Sequence, residues 1–482
     1  MDIPANTTVL IVGGGPAGST AAALLAREGI DVVLVERSKF PRYHVGESLL
    51  PSCIEILNLT GARDLVDAYG FQRKPGAIFE WKGEQWTLDF GELSGAFRYS
   101  FQVLREEFDQ LLLENARTQG ARVIEGASVS ELKFDGDRVV AARCGRDGEA
   151  PIWVACRYVI DASGRAGLIT NKYLHTRRFH RVFQNIAIWG YWNGVEHWDR
   201  PQEGAITVAS IPNGWLWAIP LRNRTMSIGA VLQKDSAHQV LRDSTLEQVY
   251  ARAIQSSPRF SAMTRSATLI SGVRAEQDYS YTSDSFAGPG YFLAGDAACF
   301  LDPLLSTGVH LAMYSALLSA ASIASILRNE VSEAEALDYF DSTYRSAYLR
   351  LLTFVACFYD AEGKDTYYTK AEELSHFQSG PDTLKRAFLN LVSGLEDIAD
   401  AEQITSHVLG AMTKRIAENF DLRKDKTALA ERVRQESARE NVRFFDAIEG
   451  LPALSADKAM DGLYVQTKPL GLARCTPNST FP

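Results

Sequence analysis

The stretch Val9-Leu10-Ile11-Val12-Gly13-Gly14-Gly15-Pro16-Ala17-Gly18 joins four apolar residues without alternation to a glycine-rich turn. The apolar run reads as a strand buried on both faces. The next six residues fit GxGxxG. Ala17 to Arg27 then reads as an Ala/Leu-rich helix closed by Gly29, and Ile30 to Val35 as a second buried strand. The first 36 residues therefore form a βαβ unit. In such a unit Gly13, Gly15 and Gly18, with Pro16 and Ala17, let the backbone approach a pyrophosphate at the helix N-terminus, where unpaired N–H groups favour negative charge. Glu36 ends the second strand about 20 residues beyond Gly15, where a carboxylate holds a ribose hydroxyl. A lone GxGxxG is a weak signal, and strand, helix and acid in register make it a strong one. The bland alternative is a glycine-rich turn that binds nothing. The motif predicts an α/β fold that takes a dinucleotide and leaves FAD and NAD equally open.

The full chain of 482 residues has 50 Lys+Arg against 59 Asp+Glu, a net charge of −9, and is 46% hydrophobic. That is the usage of an ordinary globular protein with ample material for a core. The acidic balance disfavours nucleic acid, which needs a basic face. Cys53, Cys144, Cys156, Cys299, Cys357 and Cys475 stand singly, so no zinc site or disulfide framework is expected. The unclustered histidines likewise predict no metal. No apolar run reaches the ~18–20 residues that span a membrane. Met1 to Thr7 has no basic leader. The expectation is a cytoplasmic protein without membrane or nucleic-acid partners.

Alternating stretches at Ala77–Phe90, Val123–Cys144 and Ile186–Leu232 predict β structure, and Leu104–Thr118 a helix. A late strand enters Ala294-Gly295-Asp296. Val309 to about Ala447 reads as mostly helical, with a Tyr/Phe-rich part at Tyr339–Tyr368 that is either an aromatic pocket or a helix-packing face. From Lys468 to Pro482 a surface-wrapping tail or disorder is expected.

Two pieces beyond the turn resemble the flavoprotein monooxygenase superfamily. They are Arg105, in Gln102-Val103-Leu104-Arg105-Glu106-Glu107-Phe108-Asp109, and Asp296, in Ala294-Gly295-Asp296-Ala297-Ala298. The resemblance implies that both contact FAD, and Asp161-Ala162-Ser163-Gly164-Arg165 is similar to another turn of that superfamily. No second GxGxxG marks a separate NAD(P)H domain. Asn213-Gly214-Trp215-Leu216-Trp217-Ala218-Ile219-Pro220 matches the WxWxIP signature of flavin-dependent halogenases. Phe40-Pro41-Arg42-Tyr43-His44-Val45-Gly46-Glu47-Ser48-Leu49-Leu50-Pro51 and Asp302-Pro303-Leu304-Leu305-Ser306-Thr307-Gly308-Val309-His310 resemble two further segments of that family, all in order between residues 9 and 320.

The resemblance implies a discontinuous FAD-binding domain over 1–75, 100–180 and 275–330. An antiparallel sheet inserted at 76–99 and 181–274 would serve the substrate side, with a helical region at 331–450 and a tail at 451–482. It further assigns Arg37, Arg42, Ser48, Pro303, Gly308 and Val309 to the cofactor. Reduced flavin, delivered as FADH2 by a separate reductase, and oxygen would oxidise chloride or bromide to hypohalous acid. Thr307 and Gly308, placed just before a helix starting near Val309, would bind the halide through backbone N–H groups. The plain alternative is an N-cap. Trp215, Trp217 and Pro220 would wall the flavin from substrate, although residues two apart on a strand usually share a core face.

A lysine would hold the acid, since burial lowers an amine's pKa. Lys74, in Arg73-Lys74-Pro75-Gly76-Ala77, resembles the family's lysine segment, and Lys82, in a hairpin, is its competitor. His44 and His310 read as hydrogen-bonding rather than basic, and Glu47 as ordering the flavin loop or capping. The substrate would be a phenol or pyrrole, free or tethered to an acidic carrier protein, for which Arg177, Arg178, Arg345 and Arg350 are candidate docking residues. An FAD-dependent aromatic hydroxylase and a non-catalytic flavin-binding protein are the alternatives.

Overall fold

A computed structural model describes residues 2–93, 98–180, 183–196, 203–277, 279–360, 392–393 and 462–474. In chain order, β1 (Asn6–Val12), α1 (Pro16–Arg27) and β2 (Val32–Glu36) build the βαβ unit, and α2 (Ser52–Thr60) follows. A short β3 (Gln72–Lys74) leads into the hairpin of β4 (Gly76–Trp81) and β5 (Glu84–Asp89). Next come β6 (Ser100–Gln102), α3 (Arg105–Thr118) and β7 (Arg122–Glu125), then an antiparallel meander of β8 (Ala127–Asp135), β9 (Arg138–Arg146) and β10 (Ile152–Asp161). The inserted strands are β11 (Asn185–Asn193), β12 (Ile206–Ile211), β13 (Gly214–Pro220) and β14 (Thr225–Gln233). The chain returns through β15 (Tyr291–Leu293) to α4 (Thr307–Leu327) and α5 (Glu333–Asp360), and 462–474 adds β16 (Leu463–Thr467) and β17 (Leu470–Arg474).

Strands β15, β10, β1, β2 and β7 lie side by side and parallel. Helix α1 packs between α3 and α4 against this sheet. The second sheet runs β11–β14–β13–β12–β4–β5, with β4 and β12 its parallel pair. Its two faces belong to different cores. Trp215, Trp217 and Ile219 join the main core, while Leu216 and Ala218 join a second cluster with Tyr250 and Phe260 from the helices Leu246–Gln255 and Pro258–Thr264. Period-2 alternation along β13 thus sorts the two tryptophans onto one side. Opposite Trp217 in the ladder stands Gly229, where a Cβ would come within 2.1 Å of the indole. The missing side chain lets the ring lie on the sheet.

The C-terminal part departs from the sequence reading at three points and at one, the aromatic stripe of α5, decides between two readings the sequence left open. First, α4 starts at Thr307 rather than near Val309. It holds 21 residues without an acidic or basic side chain, meeting the length and composition of a membrane span, and all of it but Gly308 and Leu327 is buried in the core. Its serines interrupt the apolar run in sequence, yet Ser315 Oγ donates to Leu311 O (2.8 Å) and Ser319 Oγ to Ala316 O (3.0 Å), so both are satisfied within the helix. Secondly, 462–474 is a β-hairpin docked on α4, where Ser325 Oγ accepts from Leu472 N (2.7 Å) and Glu28 from Leu470 N (3.1 Å).

Thirdly, the aromatic stripe of α5 is packing. Tyr339, Phe340, Tyr344, Tyr348 and Phe354 are buried, with Phe340 edge-on to Phe292 and Tyr344 against Phe286. Tyr367 and Tyr368, and the helical expectation from 361 to 447 apart from 392–393, lie outside the described residues. Fourthly, two of the four docking arginines are inside. Arg350 is buried, and Arg345 is held bidentate by Asp341 while donating to Ser283 O and Asp284 O. Arg178 is exposed but paired with Asp284, and Arg177 lies over the Tyr281 ring.

Arg345→Ala removes a buried cation and leaves its acceptors unpaired. It is expected to destabilise by about 3 kcal/mol in urea unfolding, while Arg178→Ala at the surface stays within about 0.5 kcal/mol.

Candidate active site

The FAD cradle begins where β1 ends. Gly13 is at φ 106°, and a Cβ on Gly18 would approach Gly13 O to 1.9 Å, so the turn admits no side chain there. Gly15 precedes α1, Pro16 opens it and no side chain caps it, which leaves its first N–H groups facing outward. Arg42 sits over this end, its Nη2 3.3 Å from where a Gly15 Cβ would be. Its buried Nη1 makes no hydrogen bond and rests 3.3 Å from Asp109. An uncapped helix end beneath an incompletely bonded guanidinium fits a pyrophosphate. Glu36 accepts from Gly14 N (2.7 Å) and Ser38 N (2.8 Å) at the tip of β2, where the sequence puts the ribose acid, and Arg37 beside it is exposed.

Arg105 opens α3, pairs bidentate with Asp109 (2.8 and 3.0 Å) and donates to Val45 O (2.7 Å). It thereby pins the segment from Phe40 to Pro51 to the cradle. Asp296 lies in its field. Burial pushes this carboxyl up to about 6 although Arg105, Arg165 and Arg177 pull it down. Glu47 is buried, which raises its pKa, and accepts from Tyr191 of β11 (2.6 Å), tying the segment to the inserted sheet. His44, at the surface, hydrogen-bonds Val45 O (2.7 Å).

The second part of the site forms at the start of α4. Pro303 belongs to a short helical turn capped by Asp302, Ser306 adopts a left-handed φ of 61°, and Thr307, Gly308 and Val309 form the first turn of α4. Ser306 makes no side-chain cap. The plain N-cap reading therefore fails for Ser306, and Thr307 and Gly308 stand inside the helix end rather than ahead of it. His310, one residue on, exchanges a hydrogen bond with Ser52 at the head of α2 (2.8 Å). Burial pushes the thiol of Cys53, next in α2, up to about 11.

Lys74 is 2% exposed, donates to Leu49 O (2.9 Å) and lies 5.5 Å above the Phe90 ring. Burial pushes its amine down to about 7. The competitor Lys82 is exposed, at φ 46° in the β4–β5 turn, with Nζ 3.3 Å from Tyr359 O.

Trp215 and Trp217 are buried side by side, their ring centroids 5.9 Å apart. Pro220 ends β13. Trp215 Nε1 donates to the Tyr359 hydroxyl (2.7 Å), which in turn donates to Asp302 (3.0 Å). The tryptophan strand, the end of α5 and the loop before α4 are thus one hydrogen-bonded unit. Burial pushes Asp302 up to about 7, and Leu304 N, Tyr359 and Asn185 pull it back. The sequence reading missed Asp302 and gave Tyr359 no role of its own. The only local signal was an acid directly before Pro303. The sequence brings Lys74, Thr307 and Trp215 no nearer than their numbering, and the ties of Ser52 to His310 and of Trp215 through Tyr359 to Asp302 are tertiary. Among the described residues no cluster could hold a metal ion, and Cys53, Cys144, Cys156 and Cys299 are unpaired.

A glycine-rich turn at an uncapped helix end, beneath an arginine, on a parallel βαβ sheet that carries an inserted antiparallel sheet is the fold of a flavoenzyme. The chain belongs to the flavin-dependent halogenase family. The model of the family "Tryptophan halogenase" matches residues 8–96 and 92–403. A tryptophan 2-halogenase of Chondromyces crocatus is 44% identical over 98% of this chain and 95% of its own length. The sulochrin halogenase of Aspergillus terreus is 36% identical over 84% and 78%. Among solved structures, the myxobacterial chondrochloren halogenase CndH superposes with a TM-score of 0.71 at 33% identity, covering 82% of this chain and 92% of that one. The chain is accordingly an FAD-dependent oxidoreductase, and the hydroxylase and non-catalytic readings are set aside.

Because Lys74 is buried with a lowered pKa, the unfolded chain binds more protons than the folded one between about pH 7 and 10.5, so the lysine makes stability rise with pH across that window. Lys74→Met should therefore exceed the parent most at pH 6, and the gap should close as pH approaches 10. Urea midpoints measured across that range check it. Asp302 has the opposite sign. Its raised pKa favours the folded state most below about pH 4, an advantage that fades towards pH 7 and that Asp302→Asn should abolish.

Proposed function

We propose that this chain is an FADH2- and O2-dependent halogenase that converts chloride or bromide into hypohalous acid and delivers it through Lys74 to an electron-rich aromatic ring, a phenol or a pyrrole. The observation that carries this reading is a buried lysine, its pKa pushed down to about 7, that donates only to Leu49 O, in a chain whose α4 begins on an uncapped first turn tied to Ser52 through His310. FAD, reduced by a separate flavin reductase, supplies the oxidising equivalents with oxygen. Gly13 to Gly18, Glu36, Arg42, Ser48, Arg105 and Asp296 hold it, and Thr307 and Gly308 present N–H groups and helix-end charge to the halide.

Trp215 and Trp217 exclude the ring substrate from the flavin side, so that hypohalous acid and not the flavin meets it. Near pH 7 Lys74 passes between ammonium and amine, so it can polarise the acid by donation and take up the proton that the ring loses. The substrate is free or tethered to a carrier protein. An indole is the second reading, favoured by the relative named as a tryptophan 2-halogenase.

The test supplies reductase, FAD, halide and a panel of phenols, pyrroles and tryptophan, and reads halogen isotope patterns by mass spectrometry. Product on phenol or pyrrole is expected. Oxygenation without halogen would overturn the reading, and halogen on tryptophan alone would select the indole. Product seen only on a carrier-bound ring would identify a tethered substrate. Lys74→Ala should lose at least about 100-fold in product while keeping FAD, and Lys82→Ala should resemble the parent. The reverse pattern would move the amine to Lys82.

A further inference from the structure

Lys74 stands on a ribbon whose polar atoms are unusually short of partners. It faces Ser100 directly in the antiparallel β3–β6 pair, and Gln102 lies two residues along β6 on the same face. On the other side of β6, Ser48 bridges Gln102. The flanking bonds, Leu49 N to Phe101 O (3.0 Å) and Val103 N to Glu47 O (2.7 Å), make Ser48 and Gln102 a non-hydrogen-bonded pair, the closer kind. Four polar side chains therefore share one face. All are inside: Ser100 and Gln102 at 0%, Lys74 at 2% and Ser48 at 6% exposure.

Ser48 Oγ, Ser100 Oγ and Gln102 Oε1 have no hydrogen-bond partner, and Lys74 uses one donor, towards Leu49 O. Gln102 Nε2 donates to Gly204 O (3.1 Å), which settles which end of the amide is oxygen. A buried polar atom left unpaired is destabilising, and three on one face beside a lysine call for a polar partner that the chain itself does not supply.

We propose that Ser100 and Gln102 are binding residues that seat hypohalous acid against Lys74, with Gln102 Oε1 accepting its O–H. The inference rests on the reading of Lys74 given above. The guest is a small neutral oxyacid, with one O–H to donate and oxygen lone pairs to receive the Lys74 proton and a serine hydroxyl. Held by its oxygen, it presents halogen away from the ribbon. In the transfer the ring carbon forms its bond to halogen while the O–X bond breaks. The oxygen keeps that pair, takes a proton from the Lys74 ammonium and leaves as water. The ring C–H proton then returns to the Lys74 amine, so one acid and one arene give one haloarene and one water.

The test compares Ser100→Ala, Gln102→Leu and Lys74→Ala with the parent in four readouts: the Tm of the FAD-free protein, FAD affinity, halogenated product, and hypohalous acid escaping to a 1,3-diketone trap. For Ser100→Ala and Gln102→Leu the expected result is Tm unchanged or raised, FAD affinity unchanged, product down about tenfold and trapped acid up. A Tm that falls with the product would make the residues structural and overturn the seat. Unchanged product, or product lost without trapped acid, would overturn it as well. If Lys74→Ala keeps the product, the lysine reading itself fails. If it loses the product while the other two match the parent, only the seat fails.

Discussion

The burial of α4 is the constraint from which the rest of the site follows. A helix of 21 residues with no charged side chain cannot face water along any stripe, so every surrounding element is recruited to cover it. Helix α1 covers one side, α5 another and the C-terminal hairpin a third. Its start then has to lie in the interior. An interior helix end with no side-chain cap concentrates unpaired N–H groups and positive partial charge where water is scarce, so the interaction with an anion is strongest there. The same helix carries the ties that aim it: His310 to Ser52, Ser315 to Gly295 N (2.9 Å) beside Asp296, and Ser325 to the hairpin.

Around that end the protein buries ionisable groups without neutralising partners at hydrogen-bond distance. Lys74 and Asp302 are driven by desolvation towards the same pKa, about 7, from opposite sides. Each is held by neutral groups: Lys74 by Leu49 O, Asp302 by Tyr359 and Leu304 N. An ion pair would have stabilised the charges and spoiled both, since a paired lysine stays an ammonium at neutral pH. By contrast, the cradle pairs its charges, with Arg105 and Arg42 on Asp109, because its task is to hold a fixed anionic group.

The βαβ unit was legible because its physics is local. Gly18 is required by a contact five residues back, at Gly13 O, and Gly13 by its φ of 106°, although a Cβ there would also strike Ala162 O at 2.3 Å from a distant turn; the strand–turn–helix register is written in consecutive side chains. The resemblance pointed to Lys74 rather than Lys82, and the contrast in their burial, 2% exposure against an exposed hairpin turn, was not legible in the sequence. Arg345 misled for the converse reason. An arginine on a helix reads as surface, and only the carbonyls of Ser283 and Asp284, some sixty residues away in sequence, make its burial affordable. The serines of α4 interrupt its apolar run, so the helix was legible from near Val309 but its burial was not.

By itself the sequence determined the dinucleotide cradle, the alternation that puts Trp215 and Trp217 on one face, and the order of the motifs, since each depends on neighbours a few bonds away. Tertiary structure decided which of two lysines is desolvated, that Tyr359 and Asp302 bind the tryptophan strand to the head of α4, and that Ser48, Ser100 and Gln102 share a face with Lys74. Those are matters of dielectric and of unmet hydrogen bonds. Both are set by what folds over a residue, and what covers these residues comes from segments far away in the chain.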